Sequence, residues 1–246
     1  MATARKDLPL RLSIIIPMRD EAENAYPLIE EVDRACGELC PFEIICVDDG
    51  SADGTDERLA ELRAGRADIR VLRHAFNYGQ SAAIRSGVRA ARARVIVTLD
   101  GDLQNDPAFI PQLVAALEEG GDSTGLVAGQ RSRREDTWLK NLQSNIANRI
   151  RRHILDDGTL DTGCGLKAFR REVFLALPYF DGLHRFLPAL VRREGYDVAF
   201  LEVTDRPRGA GRSKYGLFDR LWVGIFDLAG VWWLLHRCHQ QKVLQV

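Results

Sequence analysis

Short apolar runs alternate with amphipathic stretches along much of the chain. Runs rich in Val, Ile and Leu, which favour buried strands, occur at residues 12–16, 42–47, 69–72, 95–99 and 126–129. Apolar residues recur at the helical spacing of three and four at residues 26–39. Helices are also predicted at residues 80–91, which are rich in Ala and Arg, and at residues 107–119, which begin with Pro107. Pro17 is expected to end the first strand. The alternation predicts βαβ units, and so an α/β fold with a mostly parallel sheet flanked by helices.

Polar clusters follow three of the predicted strands, each at the point where its strand ends. They are Pro17-Met18-Arg19-Asp20-Glu21, Asp48-Asp49-Gly50-Ser51 and Asp100-Gly101-Asp102. Because the carboxyl ends of parallel strands lie along one edge of a sheet, the three clusters are expected to line one crevice. A single acidic turn is as easily a solvated turn, whereas three on one rim indicate a pocket for a nucleotide and a metal ion.

Asp100 and Asp102 are the candidate metal ligands of this pocket. Two carboxylates so close in sequence repel each other unless a cation lies near both. A hard divalent cation fits, because it prefers oxygen ligands and commonly keeps positions open for substrate phosphates. A carboxylate such as Asp49 can instead accept a hydrogen bond from an N–H group of a nucleobase.

Composition and charge exclude several classes of protein. The 246 residues carry 34 Lys and Arg against 35 Asp and Glu, and the formal net charge of −1 argues against a nucleic-acid binder. The chain has neither a Gly-x-Gly-x-x-Gly fingerprint nor a Gly-Lys-Ser/Thr loop, so a dinucleotide dehydrogenase and a P-loop NTPase do not fit. The five cysteines are scattered and the first residues lack an apolar signal-peptide core. A reducing, cytoplasmic location is therefore expected.

Three motifs resemble those of the inverting GT-A glycosyltransferases of family 2. They are Ile14-Ile15-Ile16-Pro17-x-x-x-Glu21, Val47-Asp48-Asp49-Gly50-Ser51-x-Asp53-Gly54-Thr55 and Asp100-x-Asp102-x-Gln104. Segments at residues 161–171, 184–188 and 211–216 are similar to the dolichyl-phosphate mannosyltransferase and polyprenyl-phosphate glycosyltransferase branch. The resemblance implies a Rossmann-like GT-A domain over residues 1–216. Residues 217–246 are expected to form a C-terminal amphipathic helix.

The resemblance assigns roles to individual positions. Contacts with the nucleotide are implied for Pro17, Arg19, Glu21, Val47 and Asp49, although eukaryotic relatives often have Tyr in place of Arg19. Contacts with the nucleotide sugar are implied for Asp100, Gly101, Asp102 and Gln104. Of these, the ligands of a Mg²⁺ or Mn²⁺ ion are expected to be Asp100, Asp102 and Gln104. The residues expected to act in catalysis and to hold the donor are Asp102, Arg131, Arg208 and Lys214.

The resemblance implies that Arg208 and Lys214 bind the phosphates of the donor. Transfer from a nucleotide diphosphate sugar develops negative charge on the leaving diphosphate, which a metal ion and two cations would stabilise. Three glycines surround the pair, as suits a loop that opens and closes over the donor: Gly209, Gly211 and Gly216. On charge alone, the two side chains would more simply be solvated surface groups.

The implied acceptor is a polyprenyl phosphate. Its phosphate is already anionic, so the enzyme needs no general base to activate it. A basic stretch could bind this phosphate, and it consists of residues 131–152 with Arg170, Arg171 and Arg185. Asp161 is expected to organise arginines rather than to act as a base. For any one of Arg149, Arg151 and Arg152, a place on a solvated helix face is the favoured interpretation.

Residues 217–235 are rich in aromatic and aliphatic side chains, but Asp219, Arg220 and Asp227 interrupt them. The uncharged run is shorter than the ~20 residues of a membrane-spanning helix. Aromatic residues flanked by cations favour a helix that lies in the membrane interface, and a helix packed under the sheet is the alternative. A peripheral enzyme of the cytoplasmic membrane is therefore expected.

Three other functions stay open at this point. The acceptor of a glycosyltransferase could be a saccharide or another lipid. A nucleotidyltransferase would also use strand-end carboxylates and a metal, but it should carry a Gly-rich, Lys-containing segment near its N-terminus, which residues 13–24 lack. A non-catalytic nucleotide-sugar-binding homologue is disfavoured, since the motifs for metal, diphosphate and loop are all present.

Overall fold

The computed structural model describes residues 9–39, 41–131, 151, 154–206 and 217–237, without the side chains of 217–223 and 225. The strands are β1 (Leu12–Met18), β2 (Phe42–Asp48), β3 (Ile69–Arg73), β4 (Val95–Thr98), β5 (Thr124–Arg131), β6 (Lys167–Arg170) and β7 (Asp197–Val203). The α-helices are α1 (Ala25–Cys36), α2 (Thr55–Arg63), α3 (Gln80–Ala90), α4 (Ile110–Glu119), α5 (Arg171–Ala176), α6 (Leu187–Arg193) and α7 (Leu217–His236). Short 3₁₀ turns lie at Gly37–Leu39, Pro107–Phe109, Gly121–Ser123 and Leu183–Arg185.

The described strands form one seven-stranded sheet in the order β3-β2-β1-β4-β6-β5-β7. Neighbouring strands are parallel, except that β6 runs antiparallel to both β4 and β5. The mostly parallel α/β sheet expected from the sequence is confirmed. Strands β2 and β3 lie on one side of β1 and β4 lies on the other, and such a reversal of strand order opens a crevice at the carboxyl ends.

The prediction that Pro17 ends β1 is wrong, because β1 continues to Met18. The Ile15 carbonyl accepts from Leu99 N on the β4 side (3.2 Å), and the Met18 carbonyl accepts from Asp49 N on the β2 side (2.9 Å). Successive residues of a strand bond to opposite neighbours. The nitrogen of Pro17 therefore faces the β4 side just beyond the β4 pairing, where its missing hydrogen interrupts no ladder bond.

Apolar side chains cover both faces of the sheet. Alternation along β1 places Ile14 and Ile16 in the layer beneath α1 and α4, and Ile15 in the layer beneath α3. All three are fully buried. Burial of both faces explains why the strands carry nearly continuous apolar runs rather than an alternating pattern.

Helix α7 packs against the domain along one side and exposes aromatic side chains on the other. Val231 is buried in the same layer as α6, and the Leu234 carbonyl accepts from Arg193 Nε (3.1 Å). On its other side Phe226 and Trp233 are 73% and 54% exposed. Within the described residues, no helix combines the length and apolar character needed to cross a bilayer.

Candidate active site

Hydrogen bonds join the loops that follow β1 and β2. Asp20 N donates to Ser51 Oγ (2.9 Å), and Ala52 N donates back to Asp20 Oδ1 (3.0 Å). Glu21 N donates to Thr55 Oγ1 (2.9 Å). The structure thereby brings five residues of the predicted nucleotide site to one edge of the sheet: Pro17, Arg19, Glu21, Val47 and Asp49.

The loop after β4 lies against the end of β1 at the same edge. A Cβ atom placed on Gly101 would come within 3.1 Å of the Pro17 carbonyl oxygen, so a side chain here would crowd the contact. Gln80, the first residue of α3, donates from Nε2 to Asp100 Oδ1 (2.6 Å). Gly165 packs on the same carboxylate so closely that a Cβ atom would overlap it.

Asp100 is partly buried and costly to ionise. Burial and, to a lesser extent, the negative charge of Asp102 outweigh the opposing charges of Lys167 and Arg131 and raise the pKa of its carboxyl to about 6. Lys167 is itself buried, which lowers its pKa, and its ammonium donates to the Cys164 carbonyl. A carboxylate held in this way beside a second one is a place where a cation binds favourably.

Asp102 and Gln104 flank a strained residue. Asp102 Oδ1 accepts from Gln104 N (3.2 Å), and Leu103 between them has a φ of +61°. This left-handed conformation is uncommon for residues other than glycine and is concentrated at ligand-binding sites. The loop thus places three oxygen-bearing side chains on one short segment: Asp100, Asp102 and Gln104.

This set of oxygen atoms fits Mg²⁺ or Mn²⁺. Mg²⁺ commonly binds through one or two protein carboxylates and completes its coordination with water and substrate phosphates. Over the residues that the structure describes, no three His, Cys, Asp or Glu side chains converge to hold a metal by themselves. A divalent cation held by two carboxylates would take its remaining ligands from water and substrate phosphates.

Asp49 is almost fully buried at the end of β2. Its carboxylate accepts from the backbone nitrogens of Tyr78 (2.9 Å) and Gly79 (2.8 Å). The ring nitrogen Nδ1 of His74 lies 2.7 Å from Asp49 Oδ1. Asp49 thus anchors the segment between β3 and α3, a function that the sequence motif did not indicate.

Arg131 lies at the end of β5 between two carboxylates. Burial alone would lower its pKa, but hydrogen bonds to Asp161 and Asp205 raise it. Nη1 of Arg131 is 2.8 Å from Asp205 Oδ2, and Nη2 is 2.8 Å from Asp161 Oδ1. Asp161 therefore does orient an arginine, as the sequence analysis expected.

Two of the arginines proposed to bind an acceptor phosphate, Arg170 and Arg171, donate to backbone carbonyls. Arg170 Nε donates to the Thr124 carbonyl and Arg171 Nε to the Val88 carbonyl (3.0 Å each). Arg170 pairs with the first residue of β4, at the opposite edge of the sheet from Asp100. Both arginines are engaged away from the strand-end carboxylates, so their position does not support a part in acceptor binding.

Arg151 does not lie on a solvated helix face, contrary to the interpretation favoured from the sequence. It is 8% exposed, and its Nη2 lies 2.6 Å from Asp157 Oδ2. Asp157 is fully buried. Arg208 and Lys214, like most of the basic stretch after Arg131, lie outside the described residues, and their placement stays a prediction.

His184 has a structural contact rather than a free ring. Its Nδ1 lies 2.7 Å from the Ser81 hydroxyl. Burial lowers the pKa of His184 to about 3, with the charges of Lys167 and Arg185 adding to the effect. The ring is therefore neutral near pH 7 and joins the turn at Leu183–Arg185 to the start of α3.

Three residues beside the strand-end carboxylates were missed in the sequence: Gln80, Gly165 and Lys167. Gly165 and Lys167 belong to a segment that the family resemblance covered without giving it a role. Gln80 follows a predicted strand and opens a predicted helix, which is a position from which side chains commonly reach a strand-end site. This position in the chain could have indicated that Gln80 belongs to the site.

Comparison with known proteins identifies a family. A model described as "Glycosyl transferase family 2" matches residues 13–177. Undecaprenyl-phosphate 4-deoxy-4-formamido-L-arabinose transferase of Serratia proteamaculans is 37% identical over 210 residues, covering 84% of this chain and 63% of that protein. Dodecaprenyl-phosphate galacturonate synthase of Rhizobium johnstonii is 36% identical over 227 residues, covering 90% of this chain and 66% of that protein. The chain thus spans slightly less than two thirds of the length of these relatives.

Solved structures share the fold. Glucosyl-3-phosphoglycerate synthase of Mycobacterium tuberculosis, in complex with Mg²⁺ and uridine diphosphate, superposes with a TM-score of 0.68 at 20% identity. The match covers 95% of this chain and 81% of that protein. A likeness at this identity concerns the fold alone, and it confirms the GT-A-like arrangement that the motifs implied.

Proposed function

Because this chain belongs to glycosyl transferase family 2, we propose that it transfers a sugar from a nucleotide diphosphate sugar to a polyprenyl phosphate. The product is a polyprenyl-phosphate sugar of inverted anomeric configuration. Support comes from the two relatives whose names specify undecaprenyl and dodecaprenyl phosphate. Since the chain covers only part of those proteins, the acceptor is a proposal about this chain and not a property carried over from them.

One observation carries the proposal: Asp100 and Asp102 lie together at the strand edge where nucleotides bind, and the first of them is costly to ionise without a cation. Mg²⁺ or Mn²⁺ would be held by Asp100, Asp102 and Gln104. Such an ion supplies positive charge for the departing diphosphate. The M. tuberculosis protein, which shares the fold, is solved with Mg²⁺ and uridine diphosphate, so this metal and donor class are compatible with the fold.

The remaining donor contacts follow from the same edge. Asp49 and Val47, with Pro17, Arg19 and Glu21 beside them, would hold the nucleoside. Arg131 would face the donor while Asp161 and Asp205 keep its guanidinium in place. Arg208 and Lys214 would approach the diphosphate from the chain that follows β7. Their charge would then act where the glycosidic bond breaks.

The acceptor chemistry requires no base. The bond between the anomeric carbon and the diphosphate oxygen breaks as an oxygen of the acceptor phosphate bonds to that carbon from the opposite face. The acceptor oxygen carries no proton that must leave, so no residue has to remove one. Asp161, the carboxylate expected nearest the acceptor, is engaged with Arg131, which suits a positioning role.

Incubation with a panel of nucleotide sugars, Mg²⁺ and undecaprenyl phosphate tests the reaction. Mass spectrometry of the lipid fraction should find the polyprenyl-phosphate sugar in amounts equal to the nucleoside diphosphate released. Free undecaprenol is the matched control and should accept no sugar. Transfer to undecaprenol or to a saccharide, with none to the phosphate, would overturn the acceptor assignment. The anomeric configuration of the product, read by NMR, tests inversion.

We also propose that α7 attaches the enzyme peripherally to the cytoplasmic membrane. Its exposed side carries Phe226, Trp232 and Trp233, with Arg237 against the Trp233 ring (5.8 Å), as in helices that lie in a membrane interface. Flotation with vesicles containing anionic lipid measures this. Replacing Phe226 and Trp233 with serine should reduce the bound fraction, while the matched control Tyr26→Ser, at an exposed aromatic on α1, should not.

A further inference from the structure

His74 lies between the candidate base-binding carboxylate and helix α3. Its Nδ1 is 2.7 Å from Asp49 Oδ1, and its Nε2 is 2.9 Å from Ser86 Oγ. The His74 side chain is 14% exposed and that of Asp49 is 5% exposed. The backbone holds the ring in place as well, because His74 N donates to the Asp48 carbonyl (2.9 Å) and so extends the β2–β3 ladder.

The direction of these hydrogen bonds follows from the donor inventory. A carboxylate has no hydrogen to donate, so His74 Nδ1 carries the hydrogen and Asp49 Oδ1 accepts it. In the neutral ring Nε2 then accepts from the Ser86 hydroxyl. The Asp49 carboxylate therefore fixes the tautomer of His74, and Ser86 supports it by donating to Nε2. His74 in turn holds the orientation of the Asp49 carboxylate.

The hydrogen bonds at Asp49 use its two carboxylate oxygens unequally. Each carboxylate oxygen can accept about two hydrogen bonds. Oδ1 accepts from His74 and from Tyr78 N, whereas Oδ2 accepts from Gly79 N. The orientation imposed by His74 thus leaves spare acceptor capacity on Oδ2, the oxygen that His74 and Tyr78 do not use.

We propose that His74, supported by Ser86, is a positioning residue that sets the nucleobase preference of the enzyme. It turns Asp49 so that Oδ2 accepts the ring N–H of an imide-type base, the N3–H of uracil or the N1–H of guanine. Cytosine has no hydrogen on the corresponding ring nitrogen and cannot make this bond. The inference rests on the proposed function in one respect, namely that Asp49 faces the base of the donor.

The surrounding loop strengthens this assignment. The His74 ring packs edge-on against Tyr78 (5.4 Å between centroids), and the Tyr78 backbone is one of the donors to Asp49. Gly50 has a φ of +70°, and a Cβ atom there would come within 2.7 Å of the Phe76 carbonyl carbon. The loop between β3 and α3 therefore packs against both the turn after β2 and the His74 ring. The Asp49 carboxylate, which lies between them, has little freedom to rotate.

Isothermal titration of UDP, GDP and CDP in the presence of Mg²⁺ tests the proposal. His74→Leu should weaken binding of the preferred imide nucleotide about tenfold, the usual consequence of losing a hydrogen bond to a charged group, and leave CDP affinity nearly unchanged. His74→Asn can still donate to Asp49 and should restore most of the preference. Ser86→Ala should lower the ratio of imide-nucleotide to CDP affinity by a smaller factor. The matched control Ser123→Ala, which changes an exposed serine in the turn before β5, should leave this ratio unchanged.

The same proteins separate positioning from mere support of the fold. A structural role would weaken all three nucleotides alike and lower the melting temperature in parallel, and that result would overturn the inference. An unchanged ratio of imide-nucleotide to CDP affinity in the folded Ser86→Ala protein, together with a His74→Leu protein that is unfolded or has an unchanged ratio, would also overturn it. If nucleotide preference changes as expected but no polyprenyl-phosphate sugar forms, the acceptor proposal fails and the inference stands.

Discussion

Two acidic side chains at opposite edges of one sheet differ in how the fold treats them. Glu43, at the start of β2, is fully buried and accepts from Ser13 Oγ (2.7 Å), Arg92 N (2.7 Å) and Arg70 Nη1 (3.2 Å). Burial alone would raise its pKa, but these hydrogen bonds outweigh that effect and lower it. Asp100, just after β4, has the Gln80 amide as its described side-chain donor, and its pKa is raised to about 6.

The contacts of Glu43 serve the stability of the fold, whereas the surroundings of Asp100 suit the binding of a cation. At the amino-terminal edge the protein supplies every partner that the buried charge of Glu43 requires, so that charge ties β1, β2, β3 and the turn before β4 together. At the carboxyl-terminal edge the protein leaves Asp100 beside Asp102, with partners too few to offset burial and repulsion. A bound cation would supply the positive charge that the protein does not place beside these two carboxylates.

The largest expected effect follows from removing a charge at the carboxyl-terminal edge. Asp102→Asn deletes a proposed metal ligand on a rim loop, so we expect sugar transfer to fall at least about a hundredfold, since metal ions supply several kcal/mol to such reactions. The melting temperature should stay close to that of the wild type. Steady-state assays across a Mg²⁺ titration measure the loss, and a folded variant with unchanged Mg²⁺-dependent turnover would contradict the metal assignment.

A smaller loss is expected when the Asp100 carboxylate is displaced without being removed. Gly165→Ala places a methyl group where the carboxylate now lies, so the carboxylate must turn away and lose its contact with Gln80. We expect transfer to fall about tenfold and the concentration of Mg²⁺ for half-maximal activity to rise, as is typical when the groups that orient a metal ligand are changed. Gly37→Ala, at a glycine with open space around its Cβ position, is the matched control. Equal activity of the two variants would show that the packing of Gly165 is unimportant.

Much of this architecture could be predicted because its signals are local. The apolar runs placed β1 to β5, and the clusters after β1, β2 and β4 placed the carboxyl-terminal edge. What the sequence did not reveal depends on long-range packing. Nothing near Gln80 indicates that its amide reaches Asp100, and nothing near His74 indicates that its ring contacts Asp49.

The amino-terminal edge was missed altogether for the same reason. Glu43 lies in an apolar run where a charge would be expected at a surface. Its partners come from three separate parts of the chain: Ser13, Arg70 and Arg92. Strand β6 was not predicted either, because the alternation of strands and helices gives no indication of an antiparallel strand inserted between β4 and β5.

Exchanging each acid for its amide tests the comparison by the sign of the effect on stability. Glu43→Gln removes a charge that the fold satisfies, so the free energy of unfolding should fall by about 1.5–3 kcal/mol. Asp100→Asn removes a charge that the fold opposes. A pKa raised from 3.8 to about 6 corresponds to a destabilisation of at most about 3 kcal/mol, which solvent screening at this partly exposed group reduces. The free energy of unfolding of Asp100→Asn should therefore be higher than that of the wild type.

Chemical denaturation of both variants at pH 7 without divalent cations measures these two changes. Glu43→Gln should keep its transfer activity per folded molecule, whereas Asp100→Asn should lose activity while it gains stability. Two changes of the same sign would contradict the difference drawn between the two edges.

The smallest effect is the pH dependence of the Glu43 contribution. Because the pKa of Glu43 is lower in the folded protein than in the unfolded chain, its stabilising effect is complete above the unfolded pKa, about 4.3. The effect declines as the pH falls through the lower folded pKa. The difference in free energy of unfolding between wild type and Glu43→Gln should therefore be constant from pH 7 to about pH 5 and shrink below about pH 4. Using the difference cancels the other carboxylates that titrate in this range, and a difference that grows on acidification would show that Glu43 is opposed by its surroundings, as Asp100 is.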